Sequence, residues 1–137
     1  MPKLEQWSPQ ILAVLRIVTG LLFLEHGLVK LFGFPAAFSG ASGPLPPLVA
    51  VAAVIELAGG ALIAAGLFTR IAALICSGEM AVAYFMAHLP ASFWPAINRG
   101  ESAILFCFVF LYLVFAGPGA FTLDNVLRGT RSVPVTA

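Results

Sequence analysis

Charge is what this sequence has least of. Lys, Arg, Asp and Glu together make up 9% of its 137 residues, where a soluble domain carries roughly 25%. A small globule in water has a large surface for its volume and needs polar residues to cover it, so the shortage excludes a water-soluble domain. The few charges also nearly cancel, seven Lys and Arg against six Asp and Glu, for a net charge of +1. With no basic stripe, the electrostatic footprint of a nucleic-acid binder is missing. Two cysteines without a paired-cysteine motif exclude a disulfide framework and the familiar zinc sites, and no metal centre is expected. The two histidines, His26 and His88, lack the fixed-spacing partners that would mark them as haem or metal ligands.

What is present is apolar. Hydrophobic residues fill 61% of the chain and mean hydropathy is +1.02. The solvent for most of this surface is therefore lipid, and the bilayer is the first partner. The length suits one domain over 1–137. Lys3 before an apolar run resembles a secretory signal, but Arg16 interrupts the run. It continues past Leu24 into Glu25-His26-Gly27 without a small-residue cleavage pattern. It reads as a retained first helix.

Four spans are expected, at about 8–31, 48–68, 70–89 and 101–116, followed by a short interfacial segment over 120–137. Ser8-Pro9 supplies a cap and first-turn proline, Gly66 can end the second helix, and Thr69 can cap the third. Each span is near the ~20 residues that cross ~30 Å of hydrocarbon. The reading is an all-α integral membrane four-helix bundle. Lys3, Arg70, Arg128 and Arg131 fall on one side, and Lys30 and Arg99 on the other. The positive-inside rule then places both termini in the cytoplasm.

Lipid gives helices no hydrophobic drive to associate, so small residues mark where they touch. Ala52, Ala53, Gly59 and Gly60 on the second span, with Gly20 and Gly27 on the first, form the expected seam. Ionisable residues in spans are costly and are functional candidates by default. At ~1.5 Å per residue they fall into two layers. Arg16, Glu56 and Glu79 lie about 9, 18 and 14 Å from the cytoplasmic boundary, an expected ion-paired buried network in which one carboxyl carries a proton. Helix register and a proton or redox-coupled site both account for it.

The outer layer holds His26, Lys30, His88, Trp94, Asn98 and Glu101. Imidazoles beside a carboxylate and flat rings suit a quinone headgroup; an interfacial belt of aromatic and charged residues is the competing explanation. Glu25 lies about 180° from Arg16 around its helix, and His88 about 180° from Glu79, so these are expected at different sites. Cys76 and Cys107 are placed ~12 Å apart in depth, beyond disulfide reach, as packing residues.

Four stretches in order resemble the DoxX-like integral membrane proteins. They are Arg16 through Gly20, Phe23, His26 and Gly27 to Lys30; Glu56 through Gly59, Gly60 and Gly66 to Thr69-Arg70; His88 through Phe93-Trp94-Pro95 to Asn98 and Glu101; and Gly117-Pro118-Gly119 with Leu123-Asp124. Arg99 stands where many relatives carry a second glycine. The resemblance implies a four-helix bundle in the bacterial inner membrane. It also implies an accessory or quinone-facing subunit of a membrane-associated oxidoreductase, linked to sulfur, thiol or oxidative-stress chemistry. No complete catalysis by this chain alone is expected; quinone is the one cofactor considered, with a redox partner subunit or a homo-oligomer as partner. Two other readings remain open, a small-molecule transporter or permease component and a purely structural membrane interaction protein.

Overall fold

Where the helices begin and end follows from a few backbone decisions. The computed structural model describes residues 2–39 and 43–129, and among them every regular element is helical. Helix α1 is one turn, Pro2–Glu5, and α2 runs Ser8–Phe32. Gly33 stops α2 in the left-handed conformation at φ 64°, sending its N–H back to the last carbonyls. Helix α3, Pro47–Ala65, starts on a proline and ends at Gly66, φ 72°. The expected second span, to 68, overran the end of α3 by three residues.

Helix α4, Thr69–Ala83, passes without a break into a π-helical turn, Tyr84–His88. Short α5 (Pro95–Asn98), α6 (Glu101–Ala116) and α7 (Leu123–Gly129) follow. Thr69 does not cap α4: its hydroxyl is buried without a partner among the described residues, and the carboxylate of Asp124 accepts the Phe68 N–H at 3.0 Å instead. A residue 56 positions downstream does the work of a local cap.

Among the described residues three helices are long and apolar enough to cross a membrane: Ser8–Phe32, Pro47–Ala65 and the continuous Thr69–His88. The apolar α6 has 16 residues, a rise of about 24 Å. Outward-facing side chains such as Ile11, Val51, Leu74 and Phe115 are all more than half exposed, a surface suited to lipid. Inside, Phe23, Ile63, Cys76, Met80, Phe110 and Leu113 meet where α2, α3, α4 and α6 converge.

The densest packing is between α2 and α3, and it depends on glycine. A Cβ on Gly20 would meet the Gly60 carbonyl at 2.9 Å; one on Gly60 would meet the Leu24 nitrogen at 2.6 Å. A Cβ on Gly27 would meet the Leu57 nitrogen at 2.7 Å. The backbones touch along the small-residue seam, a close approach that the missing side chains permit. Helices α4 and α6 form the second close pair. Arg70 donates to the Val114 and Phe115 carbonyls, Ser77 Oγ to the Cys107 carbonyl at 2.8 Å, and Gly100 lies against the Tyr84 ring. This register puts Cys107 level with Ser77, so the ~12 Å depth separation expected of the cysteines is too large. Helix α6 begins level with Tyr84, not with the end of the π turn. Both thiols are free.

Arg16 overturns the expected cluster with Glu56 and Glu79. It is fully buried, and all five of its N–H groups meet backbone carbonyls. Nε donates to Pro118, one terminal nitrogen to Ile63 and Ala64, and the other to Ala120 and Phe121, at 2.8 to 3.1 Å. The Ile63 and Ala64 carbonyls belong to the last turn of α3, where acceptors lack helical partners and the dipole favours a cation. The expected depths assumed that every span starts at one plane. In fact the first two turns of α2 project beyond the end of α3, so Arg16 lies level with that end. Glu56 is seven residues of α3 away, about 10 Å.

Arg16→Lys keeps the charge but can serve at most three acceptors. It is expected to cost on the order of 3 kcal/mol, read as a lower thermal midpoint in mild detergent. A midpoint equal to the parent's would mean that the charge alone holds this end.

Candidate functional site

At the opposite end from Arg16, the helices part to leave a cavity of about 640 Å³, within the range of small-molecule sites. Helices α2, α3, α4 with its π turn, and α6 all line it. Its walls are mostly apolar, among them Phe23, Ile55, Met80, Ala103 and Phe106. Five ionisable side chains reach it: His26 and Lys30 from α2, Glu56 from α3, Glu79 from α4 and His88 from the π turn.

Glu56 and Glu79 of the expected inner layer thus share one cavity with His26, Lys30 and His88 of the outer layer. Lys30 Nζ donates to Glu56 Oε1 at 2.6 Å, with the two side chains 18% and 2% exposed. Helix α2 continues past the level of Glu56, and the four-carbon arm of Lys30 spans the difference in depth. The other oxygen of Glu56, Oε2, is buried and has no hydrogen-bond partner among the described residues; the same holds for Glu79 Oε2. A buried acceptor left unpaired costs about 1–3 kcal/mol.

The π turn explains a second correction. On an uninterrupted α-helix His88 would lie opposite Glu79. The Leu89 N–H bonds to the Tyr84 carbonyl at 2.9 Å, a five-residue step that inserts one extra residue into the turn. That sets everything after it back by roughly 100°, and both side chains line the same cavity. His88 Nδ1 is 3.1 Å from the Asn98 carbonyl, and its ring lies roughly parallel to Tyr84 with centroids 6.4 Å apart. His26 Nδ1 is 2.7 Å from the Leu22 carbonyl, and its ring meets Phe106 edge-on.

The remaining outer candidates do not line the cavity. Asn98 is buried and organises the loop: its amide donates to Ser92 O at 2.9 Å and Tyr84 Oη at 3.3 Å, and its Oδ1 accepts the Gly100 N–H at 2.7 Å. It holds the carbonyl that orients His88. Trp94 and Glu101 are exposed, Glu101 in the first turn of α6 where a carboxylate suits the helix dipole. Glu25 is exposed on α2, away from the cavity. Phe23 and Phe106 wall the site with rings 5.3 Å apart; Phe23 stood out only within the DoxX-like stretch and was not assigned to a site, and nothing distinguishes Phe106 among 12 phenylalanines in uniformly apolar spans.

The DoxX family profile matches residues 11–89. The chain belongs to the DoxX family. All five ionisable cavity residues, and Arg16, fall inside the matched stretch. An uncharacterized protein of Haemophilus influenzae is 46% identical over 91% of this chain and 96% of its own length. A Bacillus subtilis relative named "Putative oxidoreductase CatD" is 34% identical over 90% of this chain and 92% of its own. The Escherichia coli inner membrane protein YphA is 30% identical over 85% of this chain and 90% of its own. No solved structure matches. These relatives and the three long apolar helices make this DoxX chain a bacterial membrane protein.

Removing one partner of the buried ion pair strands the other. Lys30→Met is expected to destabilise the protein by about 3–5 kcal/mol, and Lys30→Met with Glu56→Leu to recover most of that loss. Unfolding followed by circular dichroism in mild detergent checks both. A single variant as stable as the parent would show that the pair contributes nothing to the fold.

Proposed function

We propose that this chain is a quinone-facing subunit of a membrane-associated oxidoreductase, with a lipid-soluble molecule of the quinone pool held in the α2–α3–α4–α6 cavity. The observation that carries the reading is the cavity itself: apolar walls with Phe23 and Phe106, closing on Lys30, Glu56, Glu79 and two imidazoles. A quinone head is a flat ring with polar oxygens at its edge, and it needs this combination. Interconversion of quinone and quinol moves protons as well as electrons. Carboxyl and imidazole groups beside the ring can take up or release those protons. The electrons are exchanged with a redox partner subunit. The name of the Bacillus subtilis relative is in keeping with this chemistry.

The chain works as one domain in the inner membrane and crosses it four times. Helix α6 is the shortest crossing, accommodated by local thinning of the bilayer. Lys3, Arg70 and Arg128 lie at the end where α3 stops and α4 starts, and Lys30 and Arg99 at the other. Both termini are then cytoplasmic. Arg131, counted on the same side from the sequence, lies outside the described residues. Glu25, a charge exposed on an otherwise apolar face of α2, is the place where a partner subunit or second copy would be met.

Two measurements test this reading. Calorimetry on the purified chain in lipid nanodiscs, with short-chain ubiquinone and menaquinone analogues, should show binding. The paired Lys30→Met and Glu56→Leu change should weaken it at least tenfold, while Glu101→Gln, outside the cavity, should leave it unchanged. A parent protein that binds neither analogue in either redox state would sink the proposal. For topology, cysteines introduced at Lys3 and Arg99 should be labelled by an impermeant maleimide from opposite sides of the membrane.

A further inference from the structure

Building on the quinone-pool reading, we infer that the cavity is a quinol site: it binds the reduced, hydroxyl-bearing form in preference to the quinone. The inference comes from counting the donors and acceptors on the side chains that line the cavity. Glu56 Oε2 and Glu79 Oε2 are buried and unpartnered, and Glu56 as a residue is only 1% exposed. An ionised carboxylate accepts hydrogen bonds and donates none.

The two imidazoles add to the same side of the count. His26 Nδ1 faces the Leu22 carbonyl at 2.7 Å, and His88 Nδ1 faces the Asn98 carbonyl at 3.1 Å. A carbonyl oxygen only accepts, so in each neutral ring the proton sits on Nδ1 and Nε2 is left as an acceptor. Lys30 is the one obligate donor among the ionisable lining residues, and one of its three N–H groups is already given to Glu56 at 2.6 Å. The Ser102 hydroxyl, also on the wall, serves either way. A proton carried by one of the two carboxyls turns one acceptor oxygen into an O–H donor, while the other carboxylate and both imidazoles remain acceptors.

Acceptors therefore dominate the polar end. A quinone has only carbonyl oxygens to offer and would set lone pair against lone pair at Glu56, Glu79 and the imidazoles. A quinol turns two O–H donors toward these acceptor-bearing side chains instead. Hydrogen bonds to charged acceptors contribute about twice what neutral ones do, so the preference should be large enough to measure.

The test is the ratio of two affinities. Short-chain menaquinol and ubiquinol, kept reduced under anaerobic conditions, are titrated into the purified chain in nanodiscs beside their oxidised forms. Quinol is expected to bind at least tenfold tighter than quinone. For a two-electron couple this raises the midpoint potential of the bound molecule by about 30 mV, readable by redox titration. Glu79→Gln, which replaces an acceptor with an amide that can also donate, should bring the ratio toward one. His88→Phe, which removes an acceptor and keeps a ring, should lower it as well. Equal or tighter quinone binding overturns the inference while leaving the quinone-pool reading in place; so does a preference that both variants leave untouched. Binding of a lipophilic amine such as dodecylamine, with none of either quinone form, overturns both.

Discussion

A guanidinium in a membrane protein must find acceptors or water, and Arg16 finds five acceptors. Its donors close the end of α3 and hold the Pro118–Phe121 segment beneath the helices. Other contacts at this end depend on that placement. The Ala120 N–H bonds to Pro9 O at 2.9 Å, the Asp124 N–H to Gly66 O at 3.2 Å, and the Asp124 carboxylate caps α4. Arg70 plays the same part for the last turn of α6. Carbonyls at helix ends have no partners within their own helix, and in lipid water cannot supply them. Two arginines supply the donors instead, each from a different helix.

With that end tied, the opposite end can open. Helices α2 and α3 touch backbone to backbone at Gly20, Gly60 and Gly27, and α4 follows α6 in register from Arg70 to Tyr84. Beyond those contacts the two pairs separate around the cavity. One ion pair, one further carboxyl and two imidazoles collect there because each has the apolar bilayer as its alternative. The unpaired oxygens of Glu56 and Glu79 set this end apart from the Arg16 end, where every donor of the guanidinium is matched.

Much of this was legible in order along the chain. Apolar composition dictated helices in lipid, Gly66 offered a stop for α3 although the expected span ran on to 68, and glycine and alanine marked the α2–α3 seam. Of the four stretches that carried the resemblance to DoxX proteins, the first two lie within residues 11–89, which the family profile matches. What misled was the conversion of sequence position into depth. Counting from span ends placed Lys30 far from Glu56 and Arg16 near it, because it took helices of 25 and 19 residues to share their boundaries. Counting 100° per residue placed His88 opposite Glu79, because a π turn is an outcome of packing and loop closure and has no sequence period of its own.

The sequence by itself determined the solvent, the helices and which residues are costly enough there to need a purpose. Those follow from local properties: hydropathy, backbone propensity and the price of burying charge. Only the tertiary structure decided which costly residues meet. Lys30 joins Glu56, Arg16 leaves the carboxylates for helix-end carbonyls, and His88 turns to share a cavity with Glu79. Pairing depends on helix offsets of a few ångströms and on one inserted residue. Those offsets are set by how close backbones approach at the glycines and by Arg16 fixing one end, both long-range contacts that no window along the chain contains.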